Sequence, residues 1–132
     1  MKKVSLAVLL IIGIGMVPLS YGMSKYIPEG SNLSGVYWGY FSGDMALING
    51  MIHIEFYQTP AGKKIVTGVL EYEDTGRSGL FHGELTGNTL KGTLDAPYNG
   101  TISGQLSKDG SRLSGTFESI MIGKGAWKAE KE

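Results

Sequence analysis

The sequence predicts an all-β fold, an antiparallel up-and-down meander of about eight strands that forms a closed or nearly closed barrel. Three observations predict it. Beyond residue 30 no stretch carries apolar residues at helical spacing, whereas period-two alternation recurs to the end of the chain. Turn residues interrupt that alternation at the short intervals typical of sandwiches and barrels. An apolar-x-Gly-x-apolar motif returns at 33–37, 66–70, 81–85, 90–94, 102–106 and 113–117.

Strands are expected over 33–42, 51–59, 64–74, 77–86, 89–96, 100–108, 111–119 and 123–130. In the first, Tyr37 and Phe41 share a face with Leu33 and Gly35, and Val36, Trp38 and Tyr40 take the other. A hairpin over 61–63 joins the second strand to the third and sets Phe56 against Gly68 and Ile54 against Leu70. Thr75-Gly76 closes the next hairpin, with Asp74 opposite Arg77, Leu70 opposite Phe81, and Gly68 opposite Gly83. Gly87-Asn88 sets Leu85 against Leu90, Gly83 against Gly92, and Glu84 against Lys91, an opposite-charge pair. A three-residue loop, Pro97-Tyr98-Asn99, brings Gly92 opposite Gly104. Asp109-Gly110, read as a type I′ turn, pairs Leu106 with Leu113 and Gly104 with Gly115.

These turns converge on a row of five glycines, Gly68, Gly83, Gly92, Gly104 and Gly115, on the inner face of one curved sheet. The residues between them, such as Thr67, His82, Lys91, Ser103 and Ser114, face water. A mid-strand glycine costs roughly 0.5–1 kcal/mol against alanine, so five aligned ones need a reason. They permit sharp bending, and they leave a trough that something must fill. The filling is either a core of Tyr37, Phe41, Tyr72, Phe117 and Trp127, or a ligand held over the glycines by Phe56, Phe81, Phe117 and Trp127.

The N-terminus reads as an export signal. Lys2 and Lys3 precede the apolar run 4–17, Pro18 follows it, and Ser20-Tyr21-Gly22 supplies small residues for cleavage after Gly22. Fourteen residues at helical rise span about 21 Å, short of the roughly 30 Å hydrocarbon core, so no stable membrane anchor is expected after cleavage. The chain thus divides into a signal peptide (1–22), an N-terminal extension (23–32) and one β-domain (33–132), placed in the periplasm or outside the cell.

Composition narrows the function. Twelve basic and twelve acidic residues cancel. Losing Lys2 and Lys3 leaves ten against twelve, a charge near −2, which gives no basic surface for nucleic acid. The chain lacks cysteine, which excludes disulfides, thiolate metal sites and a cysteine nucleophile. His53-x-Glu55 and His82-x-Glu84 each place an imidazole and a carboxylate on one strand face. A strand lies between them, about 9–10 Å of separation, and both pairs read as solvated side chains. Glu71, Glu73 and Asp74 read as a solvated strand end, and no Gly-x-Ser-x-Gly occurs. No cofactor, metal or catalytic residue is assigned.

Eight hairpin-linked strands behind an export signal resemble the small calycin-type barrels, the class of the lipocalins and the avidin/streptavidin family. Gly35-Val36-Tyr37 stands where those families carry Gly-x-Trp on the first strand, with Tyr37 in place of the tryptophan. Trp127 looks like the neighbour that closes such a barrel. The resemblance covers the mature chain in outline and implies a binding protein. No family ligand-contact residue has a counterpart to which it can be transferred.

The expectation is an exported, non-enzymatic barrel that binds a small apolar or amphipathic molecule. The alternative is a protein-interaction or inhibitor domain that uses Val36, Trp38 and Tyr40 or an open edge strand. Ile120 and Ile122, at the last turn, are expected to be exposed like that face.

Overall fold

The computed structural model describes residues 27–43, 49–72 and 78–132. The expected signal peptide, residues 23–26 of the expected extension, and the proposed Asp74–Arg77 pair lie outside these. Eight strands follow one another: β1 (Asn32–Gly43), β2 (Asn49–Gln58), β3 (Lys64–Tyr72), β4 (Ser78–Thr86), β5 (Thr89–Leu94), β6 (Gly100–Leu106), β7 (Arg112–Ser119) and β8 (Gly123–Lys131). Each pairs antiparallel with its sequence neighbour, and β1 pairs with β8 to close the barrel. Closure removes the open edge strand that the sequence reading offered as an interaction device, because every strand now has two partners.

The inside–outside assignment holds for the core, but Thr67, expected to face water, is fully buried. Tyr37, Phe41, Ile52, Ile54, Phe56, Val66, Leu70, Phe81, Leu90, Leu94, Ile102, Leu113, Phe117 and Trp127 all point inward and are buried. On β5 to β7 the alternate residues Lys91, Thr93, Thr101, Ser103, Gln105, Ser114 and Thr116 are exposed. Ile122 corrects the expectation for the last turn: it is 1% exposed and belongs to the core, while Ile120 is 88% exposed.

Two turns set the register expected of them. At Gly87-Asn88 only Gly87 has positive φ (+62°), the type II′ pattern, and Leu85 faces Leu90 while Gly83 faces Gly92. Leu106 faces Leu113 and Gly104 faces Gly115 as expected, but the turn between them is not type I′. Only Gly110 has positive φ there (+77°). Gly110 N–H donates to Ser107 O, and Ser107 N–H donates to Arg112 O. The Asp109 carboxylate holds this loop by accepting from Ser111 N–H, Ser107 Oγ and Ser111 Oγ at 2.7–3.0 Å. Those bonds, the Ser111 amide first, hold its pKa down at about 2. Tyr37 Oη–H donates to Gly110 O at 2.6 Å and ties the loop to the barrel interior.

Three registers differ from expectation, each by two residues. Gly68 faces Phe81 rather than Gly83, and Val66 faces Gly83. Ile54 faces Gly68 and Phe56 faces Val66, in place of Phe56 on Gly68 and Ile54 on Leu70. Gly92 faces Ile102, and Leu90 faces Gly104. A two-residue slip keeps every side chain on its face, so the core survives while the single glycine row does not. What replaces the row is two glycine pairs, Gly83–Gly92 and Gly104–Gly115, staggered as a closed barrel requires.

The stagger sets large residues against small ones. In the row Ile54–Gly68–Phe81–Leu94 one glycine lies between Ile54 and Phe81, and in the row Leu90–Gly104–Gly115–Trp127–Phe41 two adjacent glycines lie between Leu90 and Trp127. In the 95–99 loop the reason is Tyr98. It is not a surface residue: it is 1% exposed, stacks on Tyr72 with ring centroids 5.5 Å apart, and lies over Gly79. Carrying that ring inward takes a five-residue loop, not three.

Candidate functional site

The four aromatic residues expected to hold a ligand inside the barrel lie in the packed core, whereas Gly83, Gly92 and Gly115 are partly exposed. Phe56, Phe81, Phe117 and Trp127 are at most 4% exposed. A Cβ added to Gly68 would strike the Phe81 ring. A Cβ on Gly104 would lie 2.5 Å from the Trp127 ring, and one on Gly125 would strike Phe117. At Gly83, Gly92 and Gly115 the obstruction is the neighbouring strand's backbone. Trp127 Nε1–H, the polar handle of the largest ring, is shared by Ser103 O and Thr116 O at 3.2 Å each. At Gly68, Gly104 and Gly125 the space left by the missing side chain is thus occupied by the chain's own aromatics.

The outer face of β1 is different. Val36, Trp38 and Tyr40 point outward as expected, but only Tyr40 is open, at 57% exposure, and Trp38 is 7% exposed. Cross-strand pairing sets Trp38 beside His53, and the two rings stack flat, with centroids 3.9 Å apart and planes 1° from parallel. Trp38 Nε1–H donates to Glu132 Oε1 at 3.0 Å, and Glu132 N–H donates to Val36 O.

His53 corrects the expectation of a solvated imidazole. It is 3% exposed, and burial lowers its pKa to about 4. Glu55 Oε2 comes within 3.3 Å of Nε2, yet the ring nitrogens make no aligned hydrogen bond, so desolvation prevails. Glu55 instead accepts from Tyr57 Oη–H at 2.6 Å; burial above all, and then this bond, push the Tyr57 pKa up. His82 lies beyond β3, 3.4 Å from Asp95. Among the described residues no three histidine, aspartate or glutamate side chains gather closely enough to share a metal ion.

Beside Trp38 and Tyr40 the outer wall of β6, β7, β8 and β1 forms a groove of about 710 Å³. That is within the roughly 300–1,000 Å³ of small-molecule sites. Trp38, Gly39, Tyr40 and Leu106 line it, with Gln105, Ser107, Arg112, Ser114, Lys128, Glu130, Lys131 and Glu132, and it borders Leu113 and Ala129, whose side chains belong to the core. The wall is chiefly apolar and the rim carries both signs of charge. Sequence reading found two of these residues, Trp38 and Tyr40. The others come into place only because β8 closes on β1, with Glu130 opposite Trp38 and Lys128 opposite Tyr40. No turn between those strands announces that register.

No protein-family model matches the chain, and no curated protein shares recognisable sequence similarity with it.

Proposed function

We propose that the chain is an exported, non-enzymatic binding protein of calycin-like build that acts in the periplasm or outside the cell. It takes a small amphipathic molecule in the outer groove beside Trp38 and Tyr40, not over the inner glycines. One observation carries this reading: aromatic rings occupy the inner trough, while a groove of about 710 Å³ with apolar walls lies open outside. Tyr40 offers a ring and an exposed hydroxyl to a ligand. Arg112 and Lys128 on the rim supply donors for an anionic head group. The sequence supplies the export signal, and the mature charge near −2 argues against nucleic acid.

Anilinonaphthalene sulfonate, which is amphipathic and anionic, is a suitable probe. We expect a saturable fluorescence rise with the folded protein. Tyr40→Glu and Arg112→Glu should each weaken binding about tenfold, equivalent to ~1.4 kcal/mol, with the far-ultraviolet circular dichroism unchanged. Binding indifferent to both substitutions would refute the assignment to this groove.

A further inference from the structure

The β7–β8 turn is built to hold two aliphatic side chains in water. Ile120 is 88% exposed and Met121 46%, yet the turn beneath them is tightly bonded. The buried Ser119 hydroxyl donates to Tyr98 O at 2.6 Å and accepts from Met121 N–H and Ile122 N–H at 3.0 and 3.2 Å. Ile120 N–H donates to Asn99 O at 3.0 Å, and Ile122 is packed in the core below. The turn backbone is thus held stiff beneath the two exposed side chains, so little backbone entropy is lost when they dock.

The molecule carries a matching receptor where the knob cannot reach it. The apolar-walled groove is rimmed by Arg112 at the start of β7, and the knob follows Ser119 at its end. Seven residues of extended chain separate them, about 23 Å. Opposite charges flank the knob, with Glu118 and Lys124 4.0 Å apart. The groove rim offers Arg112 and Lys128 to the former and Glu130 to the latter. We infer that the Ile120–Met121 knob of one molecule docks in the groove of a second copy of this chain. The contact is head-to-tail, so each pair keeps one free knob and one free groove, and association is open-ended. The inference rests on the groove's being a binding site and names a protein occupant for it, in competition with the small molecule.

Sedimentation velocity of the processed full chain should show the average mass rising with concentration. Ile120→Glu with Met121→Glu should weaken association at least about tenfold, as should Tyr40→Glu. Mixing the knob-broken and groove-broken proteins should give a dimer and nothing larger, since one intact knob and one intact groove remain. A chain monomeric at every concentration, or association undiminished in the knob variant, would overturn the inference. So would a mixture that stays monomeric while the parent protein associates. The dye separates this from the function proposed above: the knob variant keeps a complete groove and should bind anilinonaphthalene sulfonate as the parent does. Loss of association with intact dye binding thus leaves the ligand reading standing, and association without dye binding removes only that reading.

Discussion

Trp127→Ala is expected to cost about 3–5 kcal/mol, the range for removing a large buried aromatic. Small domains hold roughly 5–15 kcal/mol in total, so the variant should stand near the edge of folding. Three contributions combine in this residue. The ring is 3% exposed and fills the space over Gly104. Its N–H satisfies two strand carbonyls, Ser103 O and Thr116 O. It also sits where β8 meets β1, opposite Phe41, at the seam that closes the barrel. Urea titration followed by far-ultraviolet circular dichroism measures the loss. Trp127→Phe should fall between, because it refills much of the cavity and loses the indole N–H bonds to Ser103 O and Thr116 O. A loss below about 1 kcal/mol for the alanine variant would mean that the interior is not packed around this ring.

Acid should destabilise the protein through His53. In the unfolded chain its imidazole takes a proton near the ordinary value of 6.5, whereas in the folded protein burial delays that to about 4. The folded state thus binds fewer protons than the unfolded state between those values, and stability falls as pH drops through that window. Above pH 6.5 both states hold a neutral ring and nothing is lost. Below about pH 4 both are charged and the penalty is complete, on the order of 3 kcal/mol from a shift of that size. Chemical denaturation at pH 7 and pH 4 should show this loss in the parent chain. His53→Leu should reduce the difference, since nothing at that position then titrates. An equal pH dependence in the two proteins would exclude His53 as its source.

Much of the fold is legible in the sequence because strand alternation is insensitive to a two-residue slip. Choosing a three-residue loop at Pro97-Tyr98-Asn99, or a tighter hairpin before Lys64, slips a strand by two residues and returns every side chain to its own face. Phe81, Leu90, Ile102 and Trp127 are inward under either register. The partners of the glycines were not recoverable in this way. Gly68 opposite Phe81 follows from fitting a ring over an absent side chain, a three-dimensional constraint that turn rules do not contain. The β2–β3 loop is closed by Thr59 N–H to Lys63 O, with Gly62 at φ +88°. Pro60-Ala61-Gly62-Lys63 allows that loop and its neighbours equally.

The candidate site was half legible for a similar reason. Trp38 and Tyr40 stood out as aromatics on the nominally wet side of the first strand. Their groove needs Arg112, Lys128 and Glu130 from strands roughly seventy to ninety residues later, brought alongside only by closure. His53 read as an ordinary surface histidine because its pattern is a bare alternation. Its burial under the Trp38 ring depends on the cross-strand pairing of β1 with β2.

Trp38 and Trp127 are the chain's two tryptophans, one beside the groove and one inside the barrel. Their indole N–H signals in a proton–nitrogen correlation spectrum therefore report the outer and inner sites separately. Titration with anilinonaphthalene sulfonate should move the Trp38 signal progressively to saturation and leave the Trp127 signal where it began. A Trp127 signal that moves while Trp38 stays still would place the ligand over the glycines and contradict a barrel that is solid within and binds on its outer wall.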